Sequence, residues 1–411
     1  MRRIALLPSS YPPSLGGVEE LTRHLALALA EGGDQVEVWT VTPEDTQPET
    51  VEIRDDLLVR RLPMPMPATN WRALQRSTSL GPRVLLSLRR AVAAFRPDLL
   101  HVQCFGPNGA YATALSRMSG LPLVVTLQGE TVMDDADIFE QSRALRAALR
   151  FGLRHAAAVT GCSAFTLEDA ERRFGLPAGS GRVIFNGVSL DPGDAAVGEV
   201  SNPRDFRRRL GISDRPYIMA VGRVVEKKGF DLLLSAFAAI DRGRRSVDLV
   251  IGGAGNALDD LQRLAGDLGI AAQVHFVGRL SRQEVAEAMS DALVFVMPSR
   301  LEPFGIVVLE AWRAGVAVMA TIHGGPSEFV VDGVDGVLVD PFDVATLAAK
   351  LDALIHDAPR RRAIAAAGRS RVEAFSWPTI ADEYREVYDS VVHPGGGSAP
   401  AVGIRRQEVV G

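Results

Sequence analysis

Two glutamates eight positions apart, Glu302 and Glu310, follow the apolar run Ala292–Met297, which has the length of a buried strand. Between them, Pro303 and Gly305 precede a run of helix formers, so a helix should begin near Ile306. Glu302 then lies in the loop before that helix, and Glu310 about one turn inside it. Both would border one pocket, where the unpaired backbone N–H groups of Gly305, Ile306 and Val307 suit an anion, most commonly a phosphate. The spacing alone fits equally well a solvated loop glutamate and a surface glutamate on the helix.

A second strand is followed by Gly222-Arg223 and then Lys227-Lys228-Gly229, at the start of another helix. Only three of the 45 basic residues are lysines, Lys227, Lys228 and Lys350, so two adjacent ones suggest a compact ammonium is wanted there. Arg223 and Lys228 together could grip an exposed phosphate; a merely charged turn is the other reading. The spacing is not that of a Walker loop, which argues against a nucleoside triphosphatase. Gly16-Gly17 and the Gly253/Gly255 pair would let backbone approach a ligand closely, though each alone is more often a turn. Asp135 and Asp137 lack a third ligand nearby and read better as a solvated helix start than as a metal site.

The elements that must position these residues alternate as repeated βα units. In the first half, strands are expected near 4–8, 36–41, 99–103, 122–127, 157–160 and 183–185, with helices near 17–30, 83–95, 108–119, 138–154 and 164–174. A Pro, Gly, Asp and Ser stretch at 191–203 reads as a linker. The rhythm restarts with strands near 217–221, 248–251, 274–277, 293–297 and 316–320, and helices near 230–240, 258–268, 283–289, 306–314 and 344–356. The fold class is α/β, with two doubly wound parallel-sheet domains at 1–200 and 201–376. Ligands of such sheets bind at the carboxyl ends of strands, so a cleft between the two domains is the natural site. The tail 394–411 has nothing to pack and is expected to be disordered.

Composition agrees with a globular protein: 411 residues, 47 % hydrophobic, 23 % charged, and a formal net charge of −5. No block of like charges gives a nucleic-acid footprint, so no nucleic-acid partner is expected. The opening Met1-Arg2-Arg3 is followed by an apolar run that stops at Pro8, too short for a secretory core, and no run reaches membrane-span length. A cytoplasmic location is expected, with Cys104 and Cys162 as free thiols. The stretch 71–95 mixes arginines with leucines in a way that suits the inner face of a membrane, although Gly81-Pro82 interrupts it and a surface helix is the plainer reading.

In ordered combination these residues resemble the retaining glycosyltransferases of family 4, whose two Rossmann-like domains form the GT-B fold. The resemblance runs from Gly16-Gly17-Val18-Glu19 through His101, Asn186-Gly187-Val188, Gly222-Arg223 with Lys228-Gly229, Gly253 to Gly255 and Phe276-Val277-Gly278. It continues through the Glu302/Glu310 pair and Gly324-Gly325-Pro326-Ser327-Glu328 to Phe375-Ser376-Trp377. It implies that the chain crosses back there, so a helix at about 377–392 packs on the first domain. It further implies that Arg223 and Lys228 hold a donor diphosphate, Glu310 the ribose and Glu302 the transferred sugar. Phe304, Gly305, Ile306 and Val307 would frame sugar and phosphate, and Gly222, Gly253 and Gly255 would belong to the donor side. Gly17 would approach the phosphates from the acceptor-side domain, which also carries Gly16 and His101. Gln128 stands where many relatives have His and is retained as a catalytic candidate able to donate a hydrogen bond.

The implied reaction is retaining transfer of a sugar from a UDP-, GDP- or ADP-linked donor to a sugar, lipid-linked or small-molecule acceptor, with no cofactor or metal. A non-catalytic nucleotide-sugar-binding protein and an epimerase of similar fold are the alternatives.

Overall fold

The computed structural model describes residues 1–14, 16–43, 48–66, 71–133, 138–191, 207–209, 211–212, 214–240 and 247–393. Asp135, Asp137, most of the expected linker and the tail from 394 lie outside the described residues. The chain forms two compact units, Met1–Asn186 joined by the chain from Trp377 on, and Gly187–Ser376. The division falls at Asn186, earlier than the sequence suggests. Val188 N–H donates to Phe375 O at 2.8 Å and Arg313 Nη1 to Ser189 O at 2.9 Å, tying 187–189 into the second unit.

The first unit is built on an eight-stranded sheet of β1 (Arg3–Pro8), β2 (Gln35–Val41), β3 (Thr50–Arg54), β4 (Leu57–Leu62), β5 (Leu99–Gln103), β6 (Leu123–Leu127), β7 (Ala158–Gly161) and β8 (Gly181–Val183). Their order is β3-β4-β2-β1-β5-β6-β7-β8, parallel except for the β3–β4 hairpin. Strands β5 and β6 are buried at every position, as expected of parallel strands covered on both faces. Chain order reverses between β1 and β5, the crevice where doubly wound sheets accept ligands.

The helix spans Trp71–Phe95 without a break at Gly81-Pro82. Val84, Leu88 and Ala91 are buried in the core of the unit, so this apolar stripe is not free to meet a bilayer. The expected helix at 138–154 is two, Ile138–Gln141 and Arg143–His155, because Ser142 caps the second by accepting from Leu145 N–H at 3.2 Å.

The helix Trp377–Val392 belongs to this unit and is clamped by charge. Its Arg385 Nε donates to Asp34 Oδ2 at 2.9 Å, and the same buried carboxylate accepts from Arg2 N at 3.0 Å and Arg2 Nη1 at 3.1 Å. Arg2 then reaches Asp389 on the helix at 2.6 Å, so the chain's start and the helix share one ionic cluster.

The second unit carries β9 (Tyr217–Val221), β10 (Asp248–Gly252), β11 (Val274–Gly278), β12 (Val294–Met297), β13 (Ala317–Thr321) and β14 (Val337–Val339). They form a parallel sheet in the order β11-β10-β9-β12-β13-β14. Its reversal falls between β9 and β12, and the two loops leaving those strands carry the lysine turn and Glu302.

Candidate functional site

A cavity of about 170 Å³ opens at the β9/β12 crevice. It is lined by Gly222, Arg223, Lys228, Glu302, Gly305, Ile306 and Val307, so seven of the residues singled out in the sequence come together. Lys228 sits at the end of a short 3₁₀ turn, Glu226–Lys228, closed by Gly229 in the left-handed region at φ 66°. A Cβ at Gly229 would stand 2.1 Å from Pro298 O, so only glycine lets this turn pack against the exit of β12.

Glu302 is held from both sides of its own backbone: its N–H donates to His323 O at 3.0 Å, and its O accepts from Gly325 N–H at 2.8 Å. With 7 % of its surface exposed, its carboxylate needs partners, and it has two. Lys228 Nζ donates to Oε2 at 2.6 Å, and the fully buried Ser299 Oγ donates to the same oxygen at 2.9 Å. Beside this pair the helix Ile306–Ala314 begins, with Gly305 at φ 92° as its N-cap. The N–H groups of Ile306 and Val307, in the first turn, have no acceptor within the helix, and both residues line the cavity. Two cations and a helix N-terminus therefore line one cavity, with a carboxylate able to accept hydrogen bonds from hydroxyls.

Glu310 is one turn along the same face, at i+3 from Val307 and i+4 from Ile306, outside the cavity wall. Burial pushes its carboxyl pKa up, opposed by the nearby Arg313 and Arg282. Phe304 is placed differently from expectation: its ring is 4 % exposed and packs on Phe329 at 5.0 Å, leaving only its backbone for the site. Gly253 and Gly255 serve the loop itself. A Cβ on either would meet Gly222 O at 1.8 Å or Val224 O at 2.1 Å, so they let the loop after β10 lie against the Arg223 loop.

In the first unit, Gly16 and Gly17 are exposed at the N-terminal end of the helix Gly17–Glu31. His101 corrects the reading of an acceptor contact: it is 0 % exposed and both ring nitrogens are taken within the core. Its Nδ1 is 2.7 Å from Tyr388 Oη and its Nε2 2.7 Å from Thr126 Oγ1. Gln103 Nε2, which can only donate, faces His101 Nε2 at 3.3 Å, so Nε2 is the acceptor and Nδ1 carries the proton. The chain continues outward: Gln128 Nε2 donates to Gln103 Oε1 at 3.0 Å, and Asn186 Nδ2 donates to Gln128 Oε1 at 2.9 Å. Gln128, partly exposed, is thus the outer part of a polar line rooted in His101.

Sequence reading missed Ser299, Arg300 and Asp231. Arg300 finds its partners, Glu226 O and Asp231, in another part of the chain, and Ser299 is marked only by its burial against Glu302.

Two doubly wound units, one with two cations and a helix N-terminus lining the crevice at its switch point, define the class as a two-unit α/β protein. Comparison with known proteins gives the family. Residues 16–187 match the glycosyl transferase 4-like domain and residues 202–371 the glycosyl transferases group 1. A D-inositol 3-phosphate glycosyltransferase of Catenulispora acidiphila is 31 % identical over 406 residues, 93 % of this chain and 92 % of that protein. The GDP-mannose-dependent alpha-(1-6)-phosphatidylinositol monomannoside mannosyltransferase of Mycobacterium tuberculosis is 29 % identical, covering 93 % and 96 %. Among solved structures, sucrose-phosphate synthase of Thermosynechococcus elongatus superposes with a TM-score of 0.74 at 24 % identity, covering 95 % of this chain and 99 % of that one. Anabaena HepE in complex with UDP gives 0.70 at 21 %, covering 94 % and 100 %. The chain belongs to the family 4 glycosyltransferases and has their GT-B fold.

Proposed function

We propose that this protein is a retaining, metal-independent glycosyltransferase that uses a nucleotide-diphosphate sugar as donor. The observation that carries the reading is the convergence of Lys228, Arg223, Glu302 and the start of the Ile306 helix on one cavity at the β9/β12 switch point. Departure of a nucleoside diphosphate builds negative charge on its β-phosphate, and preorganised cations with a helix N-terminus stabilise that charge without a metal. In this reading Lys228 and Arg223 take the diphosphate, Glu302 accepts from hydroxyls of the sugar and Glu310 from those of the ribose. Same-face attack, with the leaving phosphate taking the acceptor's proton, retains the anomeric configuration and needs no protein base. The acceptor, a sugar, a lipid-linked sugar or a small molecule, belongs to the first unit. Relatives supply the donor classes to try: one is GDP-mannose-dependent, and one neighbouring structure is in complex with UDP-glucose.

Thermal unfolding with UDP, GDP and ADP tests the reading. Ligand at about 100 times its dissociation constant adds about 2.7 kcal/mol, a rise of several degrees. One of the three is expected to raise the transition; no shift with any of them overturns the donor site.

A cytoplasmic position at a membrane face is part of the same proposal. Among the described residues no helix is long and apolar enough to cross a membrane. One surface suited to an anionic bilayer is the helix Arg143–His155, which exposes Arg143, Arg150 and Arg154 around Phe151, itself 47 % exposed. Sedimentation with anionic vesicles, reversed by high salt, is expected; no sedimentation, or binding that salt does not release, removes this contact.

A further inference from the structure

The separation of Lys228 and Glu302 is set from outside the cavity. Neither Arg300 nor Asp231 lines it, yet between them they join the loop that carries Lys228 to the loop that carries Glu302. Arg300 forms a forked pair with Asp231, Nη1 to Oδ1 at 2.7 Å and Nη2 to Oδ2 at 2.6 Å. Asp231 stands in the first turn of the helix that follows the lysine turn, and the same Nη1 donates to Glu226 O, the first residue of that turn, at 2.7 Å. The backbone of Arg300 adds a third tie, its N–H donating to Lys227 O at 2.9 Å. Gly229 against Pro298 O completes the seam. Every residue of the turn from Glu226 to Gly229 therefore contacts the stretch 298–302: Glu226 and Lys227 through Arg300, Lys228 through Glu302, and Gly229 through Pro298.

The pair is also electrostatically committed. Burial pushes the Asp231 carboxyl up, but the Arg300 hydrogen bonds and charge outweigh it, and its pKa lies below the ordinary carboxylate value. A planar fork that meets two carboxylate oxygens and one carbonyl fixes orientation as well as distance, which a lysine at the same place would not.

We propose that Arg300 is a positioning residue for donor binding: through Asp231 and Glu226 O it holds the Glu226–Lys228 turn so that the Lys228 ammonium is presented to the donor diphosphate. This rests on the donor reading given above. It differs from a structural role in one respect: the effect must pass through Lys228.

The test is a double-mutant cycle on nucleotide affinity, measured by titration calorimetry with whichever of UDP, GDP and ADP the wild-type protein binds. Arg300→Ala is expected to weaken binding about tenfold in the wild-type background, and by less than about twofold once Lys228 is already Ala, because coupled residues do not add. Arg300→Lys keeps the charge but loses the fork and should recover only part of the affinity. Asp231→Asn, a milder change that spares the arginine, should show the same dependence on Lys228. Equal losses from Arg300→Ala in both backgrounds, or no loss in either, overturn the proposal. So does an Arg300→Ala protein that fails to fold together with an Asp231→Asn protein of unchanged affinity. Wild-type protein that binds none of the three nucleotides removes the donor reading itself, and the role of Arg300 with it.

Discussion

Lys228→Ala is expected to weaken nucleoside diphosphate binding, and with it sugar transfer, by about tenfold or more, the size of a lost charge-assisted hydrogen bond of about 1.5–3 kcal/mol. The geometry gives a reason to expect the upper part of that range. Lys228 Nζ is one of two donors to Glu302 Oε2, and the carboxylate is almost wholly buried. Removing the ammonium therefore takes a cation from the diphosphate and also leaves a buried negative charge beside it, held only by Ser299. Two consequences separate these effects. Glu302→Gln added to Lys228→Ala should regain part of the nucleotide affinity, since the repulsion is relieved, while transfer stays lost because the sugar has no carboxylate to bind. Lys228→Arg should fall between wild type and Ala, because a longer planar fork cannot occupy the 2.6 Å position of the ammonium without displacing the turn. Calorimetric titration of the three variants checks the order; wild-type affinity in Lys228→Ala would exclude the lysine from the site.

That so much of this site could be read from the sequence has a physical cause. The cavity is built from loops directly after strands, and such loops announce themselves by an apolar run ending in Gly, Pro or charge. Gly222, Lys228 and Gly305 are all of this kind. Two kinds of residue escaped. Arg300 meets its partner Asp231 across 69 positions, and Ser299, only three residues from Glu302, could not be told from a solvated serine until both were seen to be buried.

The same distinction governs the fold. Long apolar runs gave the central strands, whereas β14 has only three residues and no period to detect. The β3–β4 hairpin turns through Asp55 and Asp56, both at positive φ, without the glycine that usually marks such a turn. Pro82 reads as a break, yet the helix continues through it, with Gly81 buried and Val84, Leu88 and Ala91 in the core beyond it. His101 shows the opposite failure. A histidine in a central strand has the chemistry of a site residue, and only burial shows that it faces Tyr388 on a helix 287 positions away.

That burial makes His101 an acid-sensitive element of the first unit. Its pKa is pushed down to about 3 by desolvation, against an ordinary value of 6.5. The sign follows from proton counting: between pH 6.5 and 3 the unfolded chain binds a proton there and the folded chain does not, so stability is full above the upper value and falls as pH drops towards the lower. The slope from this residue alone approaches about 1.4 kcal/mol per pH unit, or about 3 kcal/mol lost between pH 7.5 and 4.5. The hydrogen-bond line adds to the cost. A proton on Nε2 would require Thr126 Oγ1, 2.7 Å away, to accept instead of donate, and would face the Gln103 amide at 3.3 Å, a donor that cannot turn without releasing Gln128 from its carbonyl oxygen, so protonation strains the line towards Gln128 and Asn186. His101→Asn, which keeps a polar partner for Tyr388, should be less stable at pH 7.5 because it leaves a cavity, yet its stability should fall less steeply with acid than that of the wild type. Urea denaturation at half-unit steps from pH 7.5 to 4.5 measures both slopes. Parallel curves would mean that His101 titrates alike in the folded and unfolded chain, and that carboxylates such as Asp389, held below its ordinary value by Arg2, account for the acid sensitivity of this unit instead.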